Sequence, residues 1–209
     1  MWRQEEFMRR DLPFHLTVAV SVGLCTAVCV FADQIFTDRT EFLIATGSDV
    51  TIDFESDPIG PVIGDPWLAQ GIVFDEAGVG DNMAIADGGG AENIIYALGG
   101  QQADIDITLV DGTQAFGLGV FSNDIQDPGE RIIFYGLFDE VLANVEMPLT
   151  GRQTTEFVGY LADQPIVRVE FVESDTDADY VGIGDVAFRS EGPIGFETRT
   201  WGQIKDLYR

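Results

Sequence analysis

Beyond residue 32 the sequence contains neither cysteine nor histidine. Both cysteines, Cys25 and Cys29, and the single histidine, His15, lie earlier. A domain formed from residue 33 onward therefore has no disulfide to restrain it. It also has no Ser-His-Asp or Cys-His nucleophile and no zinc site built on His or Cys. Lysine is almost as scarce, with Lys205 alone. Against 36 acidic residues there are 11 basic ones, and the formal net charge is −25. Such a surface repels nucleic acid and anionic membranes and attracts divalent cations. The chemistry left open is that of carboxylates, of hard cations, or of binding alone.

The first 32 residues read as a separate element. Arg9 and Arg10 form a basic patch ahead of an apolar run from Leu16 to Ala32, broken by Ser21, Gly23 and Thr26. The run ends in Val30-Phe31-Ala32, which suits a signal-peptidase site. It is short and Gly/Ser-broken for a membrane span. The expectation is a signal peptide over 1–32, cleavage after Ala32 and a secreted or extracytoplasmic domain. The rival reading is an uncleaved anchor.

From residue 33 a helix start comes first. Asp38 can cap, Glu41 can reach back, and Gly47 can end the helix. After it the apolar period becomes two. Strands are expected at Val50–Phe54, Gly71–Asp75, Asn82–Ala86, Asn93–Ala97, Ala103–Val110, Ala115–Ser122, Arg131–Leu137, Val141–Glu146, Thr155–Leu161, Ile166–Val172 and Tyr180–Phe188. Asp111-Gly112, Asp127-Pro128-Gly129, Thr150-Gly151 and Asp163-Gln164-Pro165 punctuate them as turns. Many short alternating strands without long helices predict an all-β, antiparallel, jelly-roll-like sandwich over 33–189. Residues 190–209 begin as a Gly/Pro linker. They end in an amphipathic helical tail, in which Trp201, Ile204 and Leu207 or Tyr208 fall three or four apart.

Three groups of residues could carry function. Asp53 and Glu55 lie two apart in an early strand and Asp185 lies in the last. If those strands are neighbours, the three carboxylates form a structural calcium site. Asp175, Asp177 and Asp179 copy the start of an EF-hand loop, but Tyr180 and Val186 replace its glycine and its closing glutamate. A weak cation site and a solvated acidic loop are the two readings there. For a sugar, Trp67 after Asp65-Pro66 is the best single candidate for a stacking platform, although packing in the core or under a loop is the favoured reading of it. Asn123 and Asp124 are loop partners for hydroxyls, and Tyr96, Tyr135, Tyr160 and Tyr180 are further rings.

The runs Ile52-Asp53-Phe54-Glu55, Gly71-Ile72-Val73-Phe74, Ala115-Phe116-Gly117-Leu118, Ile166-Val167-Arg168-Val169-Glu170-Phe171 and Ile183-Gly184-Asp185-Val186 resemble lectin-like β-sandwich domains of secreted bacterial proteins. Many of those belong to the exosortase-sorted, PEP-CTERM type. The resemblance spans roughly Phe36 to Arg189. It implies a lectin-like sandwich with a carbohydrate or cell-envelope partner. The family usually closes with Ile-Asp-Asp-Val, whereas Gly184 stands in place of the first acid here. No Pro-Glu-Pro anchor motif is present. The combined expectation is a non-catalytic, secreted sandwich that binds carbohydrate or a cell-surface or matrix component, with calcium as a structural ion. Two alternatives stand beside it: an adhesive structural protein without a small ligand, and a carboxylate-based glycosidase or lyase.

Overall fold

The computed structural model describes residues 33–77, 80, 82–88, 92–98, 104–122, 130–147, 154–172 and 181–190. The leader, the 123–124 and 175–179 candidates and the tail from 191 onward lie outside these residues.

The strands are β1 (Gln34–Phe36), β2 (Val50–Asp53), β3 (Gly60–Pro61), β4 (Ile72–Glu76), β5 (Met83–Asp87) and β6 (Asn93–Ala97). They continue as β7 (Ile105–Ser122), β8 (Arg131–Tyr135), β9 (Val141–Glu146), β10 (Thr154–Val172) and β11 (Val181–Phe188). One helix, α1 (Arg39–Thr46), follows β1. Every pairing is antiparallel. The all-β sandwich expected from periodicity is the fold found.

Two strands are far longer than alternation suggested. Asp111-Gly112 and Asp163-Gln164-Pro165 are bends inside β7 and β10, not hairpin turns. Before its bend β7 pairs with β4, and after it with β11. β10 follows β7 throughout, first beside β1 and then beside β8. One layer is therefore β3-β5-β6-β11-β7-β10-β1, with β2 also on β11. The other is β4-β7-β10-β8-β9. The bend is a bulge. The β7–β10 register shifts between Leu161 and Ile166 and again before Arg168. Gly112 takes φ +67°. The fully buried Thr113 hydroxyl donates to the carbonyls of Ala115 (3.1 Å) and Arg189 (2.9 Å). Pro165 is tolerated because it falls in the unpaired stretch of the ladder.

The bulge changes which side chains point inward. In β7 the core residues are Ile105, Ile107 and Leu109 before the bend, but Phe116, Leu118 and Val120 after it. In β10 they pass from Val158 and Tyr160 to Val169 and Phe171. All of these share one core between the layers.

A smaller core lies outside the first layer. There α1 covers Ala115, Phe157 and Ala187 with Phe42, and Phe36 of β1 joins them. The helix ends form as the sequence predicts. Asp38 Oδ1 accepts from Glu41 N at 2.8 Å, and Gly47 adopts φ 63° with its N–H on Leu43 O. Room for the Phe42 ring is made by glycine. A Cβ on Gly159 would lie 2.5 Å from Phe42 Cδ2, and one on its cross-strand partner Gly117 would lie 2.4 Å from Phe157 Cζ.

Gly159→Ala should therefore destabilise the fold by about 1–3 kcal/mol, as overpacking does. Adding Phe42→Leu should return part of that loss, because the smaller side chain withdraws from the new methyl. Urea midpoints of the four proteins check this, and strict additivity would disprove the contact as the cause.

Candidate functional site

The site begins with alternation in β10. Val169 and Phe171 are buried in the core, so Arg168 and Glu170 emerge on the outer face of the second layer. Register supplies their neighbours. Arg168 stands opposite Tyr135 of β8 on one side and Thr108 of β7 on the other, and Glu170 stands opposite Asp106.

The Arg168 guanidinium is held from every direction. Its Nη1 donates to Asp106 Oδ1 at 3.0 Å and Glu170 Oε2 at 3.3 Å, and its Nη2 donates to Asp139 Oδ1 at 2.7 Å. Its carbon lies 3.6 Å from the centre of the Tyr135 ring, a cation–π contact. The Tyr135 hydroxyl donates to Glu170 at 2.6 Å. Burial alone would lower the arginine pKa, but the hydrogen bonds to Asp139 and Asp106 raise it overall. Burial, then the Glu170 contacts, push the Tyr135 hydroxyl up. Arg168 is thus a permanently charged, fixed group.

Asp139 reaches Arg168 from the β8–β9 turn. Gly136 N donates to Glu140 O at 2.9 Å and closes the turn, and Asp139 N donates to Gly136 O at 3.1 Å. Asp139 takes φ 62°, a conformation that Asp tolerates better than most residues. The same turn leaves the Phe138 ring 89% exposed, with Leu137 and Val141 also exposed beside it. Between this turn and the β7 bend lies an open cleft of 540 Å³, lined by Thr108, Val110, Asp111, Leu137, Asp139 and Arg168 among others.

The expected calcium ligands occupy the other layer. β2 does run beside β11, and Asp53 stands opposite Asp185 as anticipated. However, β2 ends at Asp53, so Glu55 lies in the following turn. There its Oε1 accepts from Asn93 N at 2.7 Å. Glu92 is the other carboxylate near Asp185, and its Oε2 accepts from the Thr155 hydroxyl. The cation present is Arg39, whose Nη2 lies 2.6 Å from Asp185 Oδ2. Among the described residues no group of three or more Asp or Glu is arranged to hold a metal. The donor set thus does not fit calcium, because Glu55 is turned away and a guanidinium sits on Asp185.

Burial is the largest influence on Asp185 and raises its pKa. Arg39 opposes this, and Glu92 and Asp53 reinforce it, for a net rise. The ion pair loses because Arg39 is 43% exposed and its charge is screened by solvent.

Trp67 takes the core reading and not the stacking platform, so it is removed from the ligand candidates. It is 6% exposed, and its ring meets Phe54 and Phe74 edge-on at 5.2 Å each. Leu68 N bonds to Asp65 O at 3.1 Å, so the chain after Pro66 turns tightly and carries the indole into the core. Tyr160 is likewise buried. Among the described rings considered, Tyr135 is the one that stacks on Arg168. Arg168, Asp106, Glu170, Asp139 and Phe138 carry no motif that marks them as site residues in the sequence. The signal available was Val167-Arg168-Val169-Glu170-Phe171, which sets Arg168 and Glu170 on one wet face.

No family model and no curated protein matches the chain. Among solved structures, a family 29 carbohydrate-binding module from Piromyces equi aligns with 55% of this chain and 78% of its own, at 10% identity and a TM-score of 0.37.

The Asp185 shift has a defined sign. A carboxyl whose folded pKa is raised stabilises the fold fully below its unfolded value of 3.8, and that contribution is lost as pH rises through the folded value. Asp185→Asn should thus gain stability relative to the parent as pH rises from below 3.8, and the gain should level off towards neutrality. Denaturant unfolding across this range tests it, and a difference that falls with pH would contradict the assignment.

Proposed function

We propose that the chain is an extracytoplasmic, non-catalytic binding module that takes a neutral carbohydrate in the Arg168 cleft. The single observation carrying this is an open cleft that joins exposed Leu137 and Val110 to the fixed Arg168–Asp139 pair, with the nearly bare Phe138 on the same turn next to Leu137. A pyranose has an apolar C–H face and a rim of hydroxyls. Exposed Phe138 and Leu137 offer the first a surface, and Asp139, Thr108 and Arg168 offer the second acceptors and donors in fixed positions. Because Arg168 already anchors the array, little side-chain freedom remains to be lost on binding. Three carboxylates around one guanidinium, on a chain of net charge −25, favour a neutral sugar over an acidic one. Binding rather than hydrolysis is favoured because Asp106, Asp139 and Glu170 converge on one arginine. Glycosidase carboxylates face each other across a scissile bond. The extracytoplasmic setting rests on the leader pattern.

Calorimetric titration with a panel of neutral oligosaccharides tests the proposal. Phe138→Ala should weaken binding at least tenfold, about 1.4 kcal/mol. It should leave the melting temperature unchanged, since the ring is 89% exposed. Absence of binding to every neutral glycan, or binding indifferent to Phe138→Ala, would refute it.

A further inference from the structure

Ser190, where the described chain ends, is pinned at the mouth of a second groove. Its N–H donates to Asp49 Oδ1 at 2.6 Å and its hydroxyl also bonds Asp49. Just before it, Arg189 is fastened through the Thr113 hydroxyl on its carbonyl. The groove measures 330 Å³ and runs past Phe188, Leu68 and Gln70 to Val110 and Asp111, where it meets the sugar cleft. Leu68 and Val110 are each about half exposed along it, so apolar surface stands open beside the point where the chain leaves.

We infer that this groove is the docking surface for the chain's own C-terminal segment, Trp201 to Arg209. Three observations agree on that occupant. The first is chemistry: Trp201, Ile204 and Leu207 fall three apart and would share one helical face, the form in which an amphipathic helix fills an apolar groove. The second is charge. Within that segment Lys205 and Arg209 outnumber Asp206, on a chain of net charge −25 that has no other lysine. The groove carries Asp111 at its far end and Arg189 at its mouth beside Ser190. The third is reach. The link from Ser190 to Trp201 can span about 35 Å when extended, and a tether that short holds its end at an effective concentration in the millimolar range. An intrinsically weak peptide contact is then mostly formed. The inference does not depend on the sugar reading.

The test uses the full chain labelled with 5-fluorotryptophan, with the Trp201 resonance assigned by Trp201→Phe. Docking predicts a Trp201 fluorine signal displaced from that of a labelled free peptide of residues 199–209, and broadened like that of the core Trp67. Leu68→Glu in the groove and Ile204→Glu in the segment should each return it to the free-peptide position, with the urea midpoint of the sandwich retained. Ile204→Glu leaves the groove residues untouched, so a folding defect from Leu68→Glu cannot obscure the result. A Trp201 signal at the free-peptide position in the unmutated chain, or one that ignores both substitutions, overturns the inference. It would leave the segment available to an outside partner. No sugar is present in this measurement, so its failure and that of the glycan titration are read separately.

Discussion

Side chains along a strand alternate, and two strands of this protein pass through both layers of the sandwich. The fold depends on how that constraint is met at the bends in β7 and β10. The two strands meet only at Ile166 opposite Thr113 within the bend and resume full pairing after it, so residues inserted in one must be answered in the other. After the shift, Val169 and Phe171 point inward with Ile105 and Ile107, and Arg168, Glu170 and Asp106 point out together. One slip of register would reverse both sets. It would drive a guanidinium and two carboxylates into the core, which is far more unfavourable than losing a few apolar contacts.

Basic residues are few, and two of them are placed where carboxylates crowd. Arg168 ties three acids from β7, β10 and the β8–β9 turn. Arg39, at the first position of α1, meets Asp185. A cation at a helix N-terminus is unfavourable with respect to the helix dipole, so Arg39 is explained by its partner and not by the helix. These two contacts differ in consequence. Arg168 is held by three oxygens and a ring, and so orders its surroundings. Arg39 has one partner and much solvent, and does not overcome the burial of Asp185.

Much of the fold was legible because it rests on local rules. The strands Asn93–Ala97 and Val141–Glu146, the Asp38 cap and the Gly47 stop follow from period, capping and turn chemistry read over a few residues. The adjacency of Asp53 and Asp185 followed from a general habit of sandwiches. The bends at Asp111-Gly112 and Asp163-Gln164-Pro165 were read as turns between separate strands, because a glycine or proline signals a break in the local path without saying whether the strand resumes in the same direction. Trp67 was open to two readings for a related reason: a ring after Asp-Pro can swing to either side of the chain, and it took the core side, as favoured.

Composition and alternation alone decided that this protein is an acidic antiparallel sandwich, with no cysteine from residue 33 onward, because burial of every second side chain is written in the order of residues. Which outward-facing groups meet was decided only by the tertiary structure. Arg168 lies 62 residues from Asp106 and 29 from Asp139 along the chain, and no local pattern carries the cross-strand register that brings them within hydrogen-bonding distance. The same holds for Glu55, which lost its place beside Asp53 when β2 ended one pleat early, and for Phe138, which stands 89% exposed on its turn.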